Sequence, residues 1–234
     1  MATAPANAAY WTNGYPTSDG KPMAETDWHR DLMLRLIETL KVYYAAQQRV
    51  YVSGNLLLFY ERGNRRRHVS PDVFVVKGVA KHNRPNYLLW EERNPDVVIE
   101  LTSSSTRRED RETKYRLYRD TLKVKEYFLF DPLVDYLDPP LQGHRLRAGE
   151  YHPIRAVEGR LPSRALGLHL ERDGEELRLY DPVAHGWLPT PQELAVRAQA
   201  AREQSEATLR QVEAENEQLR REVEALRRQL PRKP

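Results

Sequence analysis

The sequence predicts an α/β protein in which part of the sheet is parallel. Three observations carry this. An apolar stripe at helical spacing, Leu32 to Tyr44, gives way to runs of β-type residues, a switch from period 3.6 to period 2. The apolar run Val97 to Leu101 is followed by a charged helical segment and then by the run Glu126 to Phe130, an order that makes part of the sheet parallel. Short β segments separated by turn residues fill 141–188, and a long charged segment with heptad order closes the chain.

At 234 residues the chain has room for one domain with a sizeable core plus an appendage. The expected division is a disordered arm over 1–24, a domain over 25–190, and a helical tail over 191–234 with a coiled coil at about 205–230. There are no cysteines, which excludes disulfides, thiolate zinc sites and cysteine nucleophiles, and fits a reducing compartment. Met1 to Ala9 carries neither a basic nor an apolar signal region, so no signal peptide is expected. No apolar run approaches the roughly 20 residues that a membrane span needs. A cytoplasmic protein with no membrane partner is therefore the expectation. The formal net charge of +3 permits a polyanionic partner without demanding one.

In chain order, residues 1–24 are rich in Ala, Pro, Asn, Thr and Gly without period, although Tyr10, Trp11 and Tyr15 are candidates to dock. A helix starts at Thr26 or Asp27, with Asp27 as a candidate N-cap, and buries Leu32, Leu36, Ile37, Leu40 and Tyr44. Arg49 to Tyr60 and His68 to Val76 are β-type runs joined by the turn residues 61–67. Residues 77–95 are irregular, with a short ordered piece at Tyr87 to Trp90. Val97 to Leu101 is the central strand. Thr106 and Glu109 make a capping box that opens a helix running to about Asp120. Glu126 to Phe130 is the next strand, ended by Asp131-Pro132. The segment from Leu141 to Leu188 reads as a β-rich C-terminal lobe, with Asp173-Gly174 marking a hairpin.

Past Pro189 and Pro191 the chain is a long charged helix. Leu209, Val212, Asn216, Leu219, Val223, Leu226 and Leu230 alternate spacings of three and four, which is the a/d seam of a coiled coil. Asn216 falls at an a position, where one polar residue favours a parallel dimer in register. Glu215 and Glu222 at g positions face Arg220 and Arg227 at e positions of a second copy. Homodimerisation through this seam is expected; a solvated helix folded back on its own domain is the alternative.

Three ionisable residues stand out. Asp72 opens an apolar strand, Glu100 lies inside the central strand, and Lys114 lies two turns into the following helix on the face of Arg107, Asp110 and Tyr118. A buried carboxylate is costly unless it is paired, hydrogen-bonded or bound to metal. Two carboxylates from adjacent strands suit a hard divalent cation such as Mg²⁺, or Mn²⁺, and the backbone carbonyl of Leu101 is placed to complete the protein's share. A lysine beside them would orient or deprotonate an attacking water and offset charge building on phosphorus. A plainer reading fits the same residues: Asp72 caps a turn, Glu100 is a paired charge, and Lys114 with Asp110 is an i,i+4 ion pair.

Four linked blocks separate the two readings. They are Ser70-Pro71-Asp72-Val73-Phe74-Val75-Val76, Pro95-Asp96-Val97-Val98-Ile99-Glu100-Leu101-Thr102-Ser103-Ser104-Ser105-Thr106, then Asp110, Lys114 and Tyr118, then Lys125-Glu126-Tyr127-Phe128-Leu129-Phe130-Asp131-Pro132. In order and spacing, from about His29 to Leu188, the chain resembles the bacterial restriction endonuclease family termed Uma-two, within the PD-(D/E)xK nuclease superfamily. The resemblance implies a restriction-endonuclease-like α/β core with a central mixed sheet flanked by helices. It also implies Mg²⁺-dependent hydrolysis of DNA, with Asp72 and Glu100 as the metal-binding acids. The superfamily's lysine stands two residues after the second acid, where this chain has Thr102; the resemblance implies that Lys114, from the following helix, takes its place. The reading from a different functional class is a non-catalytic nucleic-acid-binding or adaptor protein on the same scaffold, and a third is a nuclease acting on RNA or on transposon-related DNA ends.

Other residues are weaker candidates. His29, early in the first helix, is placed to approach the site, and Glu91 and Glu92 could reach a metal from their loop. Arg65, Arg66, Arg67 and His68 upstream of Asp72, and Arg107, Arg108 and Arg111 at the next helix start, are candidate phosphate contacts.

Overall fold

Alternate residues of the central strand enter two different apolar layers, and the architecture follows from that division. The computed structural model describes residues 14–18 and 26–229. Helix α1 (Asp27–Tyr43) is followed by β1 (Val50–Ser53), β2 (Leu58–Phe59), β3 (His68–Val69), β4 (Val73–Lys77), β5 (Tyr87–Leu88) and β6 (Val97–Leu101). Helix α2, residues 107–121, leads to β7 (Glu126–Phe130), β8 (Leu141–Arg147), β9 (Glu150–Pro153), β10 (Leu161–Ser163), β11 (Leu168–Asp173), β12 (Glu176–Asp181) and β13 (Gly186–Trp187). Helix α3 (Pro191–Gln229) forms a unit of its own.

The main sheet has six strands in the order β1-β4-β6-β7-β8-β9. The β6–β7 pair is parallel, in register from Val97↔Glu126 to Leu101↔Phe130. The other four pairs are antiparallel, so the sheet is mixed, as the strand–helix–strand order of the sequence predicts. Val97, Ile99 and Leu101 face a layer made by α1 and by residues of β10–β12, including Leu36, Leu40, Leu170 and Leu179. Val98 faces the other way, toward Tyr118 of α2, Leu122 just after it, and Leu58 and Tyr87. Each fully buried side chain of this kind contributes roughly 1.5–3 kcal/mol. Period-2 alternation puts Glu100 on the same face as Val98, under α2.

Several expectations are refined by the structure. Thr26, not Asp27, is the N-cap of α1, its hydroxyl accepting the N–H of His29 at 3.2 Å. Each of the two long β runs splits: β1 and β4 join the main sheet, while β2 and β3 join β5 in a small sheet ordered β3-β2-β5. The breaks fall at Gly54-Asn55 and at Pro71, where Asn55 N–H bonds the Pro71 carbonyl at 2.8 Å. The region after residue 141 also divides. Strands β8 and β9 extend the main sheet, and only β10–β13 form the separate antiparallel lobe. The hairpin between β11 and β12 turns through Gly174 and Glu175, with Gly174 at φ +63°. The Thr106 hydroxyl turns back to accept the N–H of Ser103 at 3.1 Å, rather than forward in a capping box. Helix α2 is π-helical over Glu109–Lys114 and Leu117–Thr121, which periodicity cannot distinguish from α-helix.

Tyr15 docks: its ring lies against Phe59 and Trp90, and its hydroxyl accepts the N–H of Gly63 at 2.7 Å. Tyr10 and Trp11 lie outside the described residues. Buried Glu126 of β7 anchors the lobe, accepting from Arg145 Nε at 2.7 Å, from the N–H groups of Arg164 and Ala165 at 3.1 and 3.2 Å, and from the Ser163 hydroxyl. Helix α3 carries Leu209, Val212, Leu219 and Val223 on its exposed surface. Leu230 and the side chain of Leu226 lie outside the described residues. Among the described residues no helix is long and apolar enough to cross a membrane.

Candidate active site

Asp72, Glu100 and Lys114 come together where β4 begins and β6 ends. Asp72 stands just before β4, paired antiparallel to β6, and its carboxylate Oδ2 accepts the N–H of Leu101 at 2.8 Å. The Asp72 N–H in turn reaches Glu100 Oε2 at 3.3 Å. Lys114 descends from α2 and places Nζ 3.0 Å from Glu100 Oε2 and 2.9 Å from Asp110 Oδ1. Tyr118, one turn on, donates its hydroxyl to Glu100 Oε1 at 2.6 Å. His29 at the start of α1 brings Nε2 to 3.3 Å from Asp72 Oδ1.

Local structure accounts for each position. A π-helical turn closes bonds to i+5. Its wider turn keeps Asp110, Lys114 and Tyr118, at i, i+4 and i+8, on one face over β6. Gly54, at the end of β1, lies directly against the backbone of Asp72. A Cβ there would sit 1.9 Å from the Asp72 carbonyl oxygen and 2.7 Å from Ile37 Cδ1, so only glycine lets β1 press on the site.

Charge is unevenly balanced. Three carboxylates, Asp72, Glu100 and Asp110, surround one ammonium. Glu100 is wholly buried, and that burial, reinforced by the charges of Asp72 and Asp110, pushes its carboxyl up to about 8 despite Lys114 and Tyr118. Burial also opposes the charged form of Asp72. There the hydrogen bond and charge of His29, the Lys114 ammonium and the Leu101 N–H outweigh it and hold the carboxyl below its usual range. Burial opposes the ammonium of Lys114, but the carboxylates of Glu100, Asp110 and Asp72 raise it far above its usual range. Lys114 is a cation at every physiological pH.

The donor set fits a hard divalent cation. Asp72 and Glu100 offer oxygen ligands from adjacent strands, and the charge deficit around Glu100 is what a cation would offset. Among the described residues no three His, Cys, Asp or Glu side chains are grouped so as to hold a metal ion. At Leu101 the contact that the structure records is its N–H to Asp72. A residue in an extended strand projects its N–H and C=O to the same edge.

The weaker candidates divide. His29 reaches the site. Glu92 is committed to Arg84, whose Nε it accepts at 2.7 Å, and Glu91 is exposed. Arg65 and Arg66 are exposed in the 61–67 turn, while Arg67 pairs with Glu61 at 3.2 Å. Arg107, Arg108 and Arg111 are exposed on α2. Thr102 is buried, and its hydroxyl donates to Asp110 Oδ2 at 2.7 Å while also bonding Tyr136. Sequence reasoning missed Tyr136 and Gly54. Tyr136 lies in an irregular loop with no motif, whereas Gly54 was visible as a break within a β run.

A sequence model of the family Uma2, described as "Putative restriction endonuclease", matches residues 15–230. Among solved structures, the chain is similar to a crystal structure of "a putative nuclease belonging to DUF820" from Anabaena variabilis ATCC 29413. The likeness has 18% identity and a TM-score of 0.44, over 66% of this chain and 85% of that one. No curated protein matches. Because the family match spans nearly all of the described chain, the protein belongs to the Uma2 family of restriction-endonuclease-type proteins.

Proposed function

We propose that this nuclease-family protein is a divalent-metal-dependent endonuclease that hydrolyses DNA phosphodiester bonds. The observation that carries the reading is the convergence of Asp72, Glu100 and Lys114 from two strands and a helix, with Lys114 Nζ 3.0 Å from Glu100 Oε2. Mg²⁺, or Mn²⁺, held by Asp72, Glu100 and the carbonyl of Leu101 would supply a Lewis acid and an acidified water. Tyr118 fixes the Glu100 carboxylate through Oε1, while Lys114 and the Asp72 N–H meet Oε2. Lys114, always cationic, orients the attacking water and offsets the negative charge that grows on the phosphoryl oxygens. His29 steadies Asp72 from the opposite edge. The exposed Arg65, Arg66, Arg107, Arg108 and Arg111 are the cations proposed to meet DNA phosphates. Dimerisation through α3 would bring two such sites to the two strands of a duplex.

Supercoiled plasmid incubated with Mg²⁺ or Mn²⁺ tests this, beside Asp72→Ala, Glu100→Ala and Lys114→Ala. Nicking or linearisation by the wild type and its loss in all three variants is the expected result. A second reading, nucleic-acid binding without cleavage, is favoured by one observation. Both Glu100 oxygens already accept hydrogen bonds, from Tyr118, Lys114 and the Asp72 N–H. Equal inertness of wild type and variants, with DNA binding retained, would decide for it.

A further inference from the structure

The structure assigns Thr102 and Asp110 a role as positioning residues for Lys114. This rests on the reading of Lys114 as the site's cation and adds to it the device that holds the ammonium in place. Asp110 is buried on α2, and each of its carboxylate oxygens has a separate task. Oδ1 takes the Lys114 ammonium at 2.9 Å, and Oδ2 takes the Thr102 hydroxyl at 2.7 Å. Its backbone carbonyl accepts the hydroxyl of buried Tyr127 at 3.0 Å, which fixes this turn of α2 to β7.

The direction of the hydrogen bonds follows from the chemistry. An ionised carboxylate only accepts, so the Thr102 hydroxyl spends its proton on Asp110 and must itself accept, which leaves Tyr136 as the donor to it. The Thr102 backbone is pinned as well, by its N–H to the Phe130 carbonyl at 2.8 Å. Thr102 lies two residues after Glu100 and continues the same face of the strand. One strand edge therefore supports both carboxylates that grip the lysine: Glu100 directly, and Asp110 through Thr102.

An ammonium has three donors. Glu100 accepts from one of them and Asp110 holds the ammonium as an ion pair at 2.9 Å, which leaves N–H capacity for a substrate oxygen. A lysine bonded to Glu100 alone would pivot on its four-carbon stem and lose that aim. Asp110, with both oxygens engaged, is a holder of the lysine rather than a third ligand of a cation.

The test compares Thr102→Val, which keeps the shape and loses the hydroxyl, with Thr102→Ser, which keeps the hydroxyl. Asp110→Asn is the second route should the valine variant fold poorly. The first readout is the rate of reductive methylation of Lys114 in the metal-free, full-length protein, followed by mass spectrometry, with Lys77 and Lys81 as internal controls. Thr102→Val and Asp110→Asn should methylate Lys114 roughly tenfold faster than wild type, while Thr102→Ser stays near the wild-type rate. A merely structural effect would raise Lys77 and Lys81 in parallel. The second readout is plasmid cleavage in Mg²⁺ or Mn²⁺, where kcat should fall about tenfold in Thr102→Val with KM for DNA unchanged, and recover in Thr102→Ser. An unchanged Lys114 methylation rate in folded Thr102→Val and Asp110→Asn overturns the assignment, as does a serine variant that behaves like valine. Absence of cleavage by the wild type would defeat the nuclease reading instead, and the methylation rates would then decide the positioning role alone.

Discussion

Lys114 meets Glu100 at 3.0 Å from a separate element, helix α2, and not from the strand that carries the acid. The lysine therefore depends on how α2 docks on the sheet. Tyr118 belongs to the same buried cluster as Val98 and Leu122 on that face and bonds the other Glu100 oxygen, so docking of the helix and orientation of the carboxylate are coupled.

Replacing Lys114 with Met should affect stability and chemistry separately. Glu100 and Asp110 would lose their shared ammonium while staying buried, and breaking a buried pair in this way costs about 3–5 kcal/mol. Calorimetry of the metal-free variant should show that loss, and saturating Mg²⁺ should restore part of it, since a ligand bound only by the folded state stabilises it. Cleavage should fall about a hundredfold or more even when the protein is folded. A variant as stable as wild type would mean that the ammonium is not what balances these carboxylates.

The pH dependence of stability has a definite sign. Burial pushes the Glu100 carboxyl up to about 8 in the folded protein, above its usual value, so the folded state binds the extra proton. Stability from this group is complete below the usual glutamate range and is lost as pH rises toward about 8, by at most about 1.4 kcal/mol per pH unit. Asp72, held low, acts oppositely but only in acid, where its stabilising charge is lost as pH falls. Chemical denaturation of metal-free protein at pH 6 and pH 8.5 should find the alkaline sample less stable, with the difference removed in Glu100→Gln. Mg²⁺ binding should release protons over the same window, so that its apparent affinity rises with pH.

A partly parallel sheet was legible because an apolar run, a helical segment and a second apolar run recur in that order; that β6 and β7 are the parallel neighbours came from the structure. Glu100 was legible because a carboxylate interrupts an apolar strand. Lys114, Asp110 and Tyr118 shared a face on any helical wheel. The splitting of Arg49–Tyr60 and His68–Val76 between two sheets was not legible, because one β-type pattern serves either sheet and Gly54 and Pro71 mark only the breaks. Thr102 showed itself as the absence of a lysine, and its partner Tyr136 lies in a loop that no periodicity describes. The π-helical form of α2 was hidden too, since its side chains satisfy an α-helical pattern equally well.

Gly54→Ala should damage the site from outside it. The added Cβ would lie 1.9 Å from the Asp72 carbonyl oxygen, so β1 or the residues around Asp72 must move. Overpacking of this kind costs about 1–3 kcal/mol, and a displacement near 1 Å at a catalytic group can cost roughly a hundredfold in rate. Thermal melting together with plasmid cleavage checks both. Full activity in Gly54→Ala would show that Asp72 tolerates the shift.

Glu126→Ala should show the opposite pattern. Four donors, from Arg145, Ser163, Arg164 and Ala165, converge on this carboxylate and hold the β10–β13 lobe to β7. Removing it takes the acceptor from the half-buried Arg145 guanidinium and from the buried Ser163 hydroxyl, at a cost of about 1–3 kcal/mol. Denaturant unfolding should report that loss, while cleavage measured well below the melting transition stays close to wild type, because Asp72, Glu100 and Lys114 lie on other elements.

The tail makes the last prediction. Leu209, Val212, Leu219 and Val223 form an exposed apolar stripe on α3, and Asn216 in their midst bonds its own helix at the Val212 carbonyl, 3.0 Å away. An exposed stripe at heptad spacing is destabilising in water unless a second helix covers it. We propose a second copy as that helix, because Glu215 and Glu222 would meet Arg220 and Arg227 across a parallel seam, whereas an offset register would lose both pairings. Light scattering should therefore give a dimer for the full chain and a monomer for a chain ending at Thr190. Asn216→Leu should strengthen association while relaxing its register, which cross-linking at engineered cysteines flanking the seam would read as mixed pairings. A dimer that persists after truncation at Thr190 would place the interface in the nuclease domain instead.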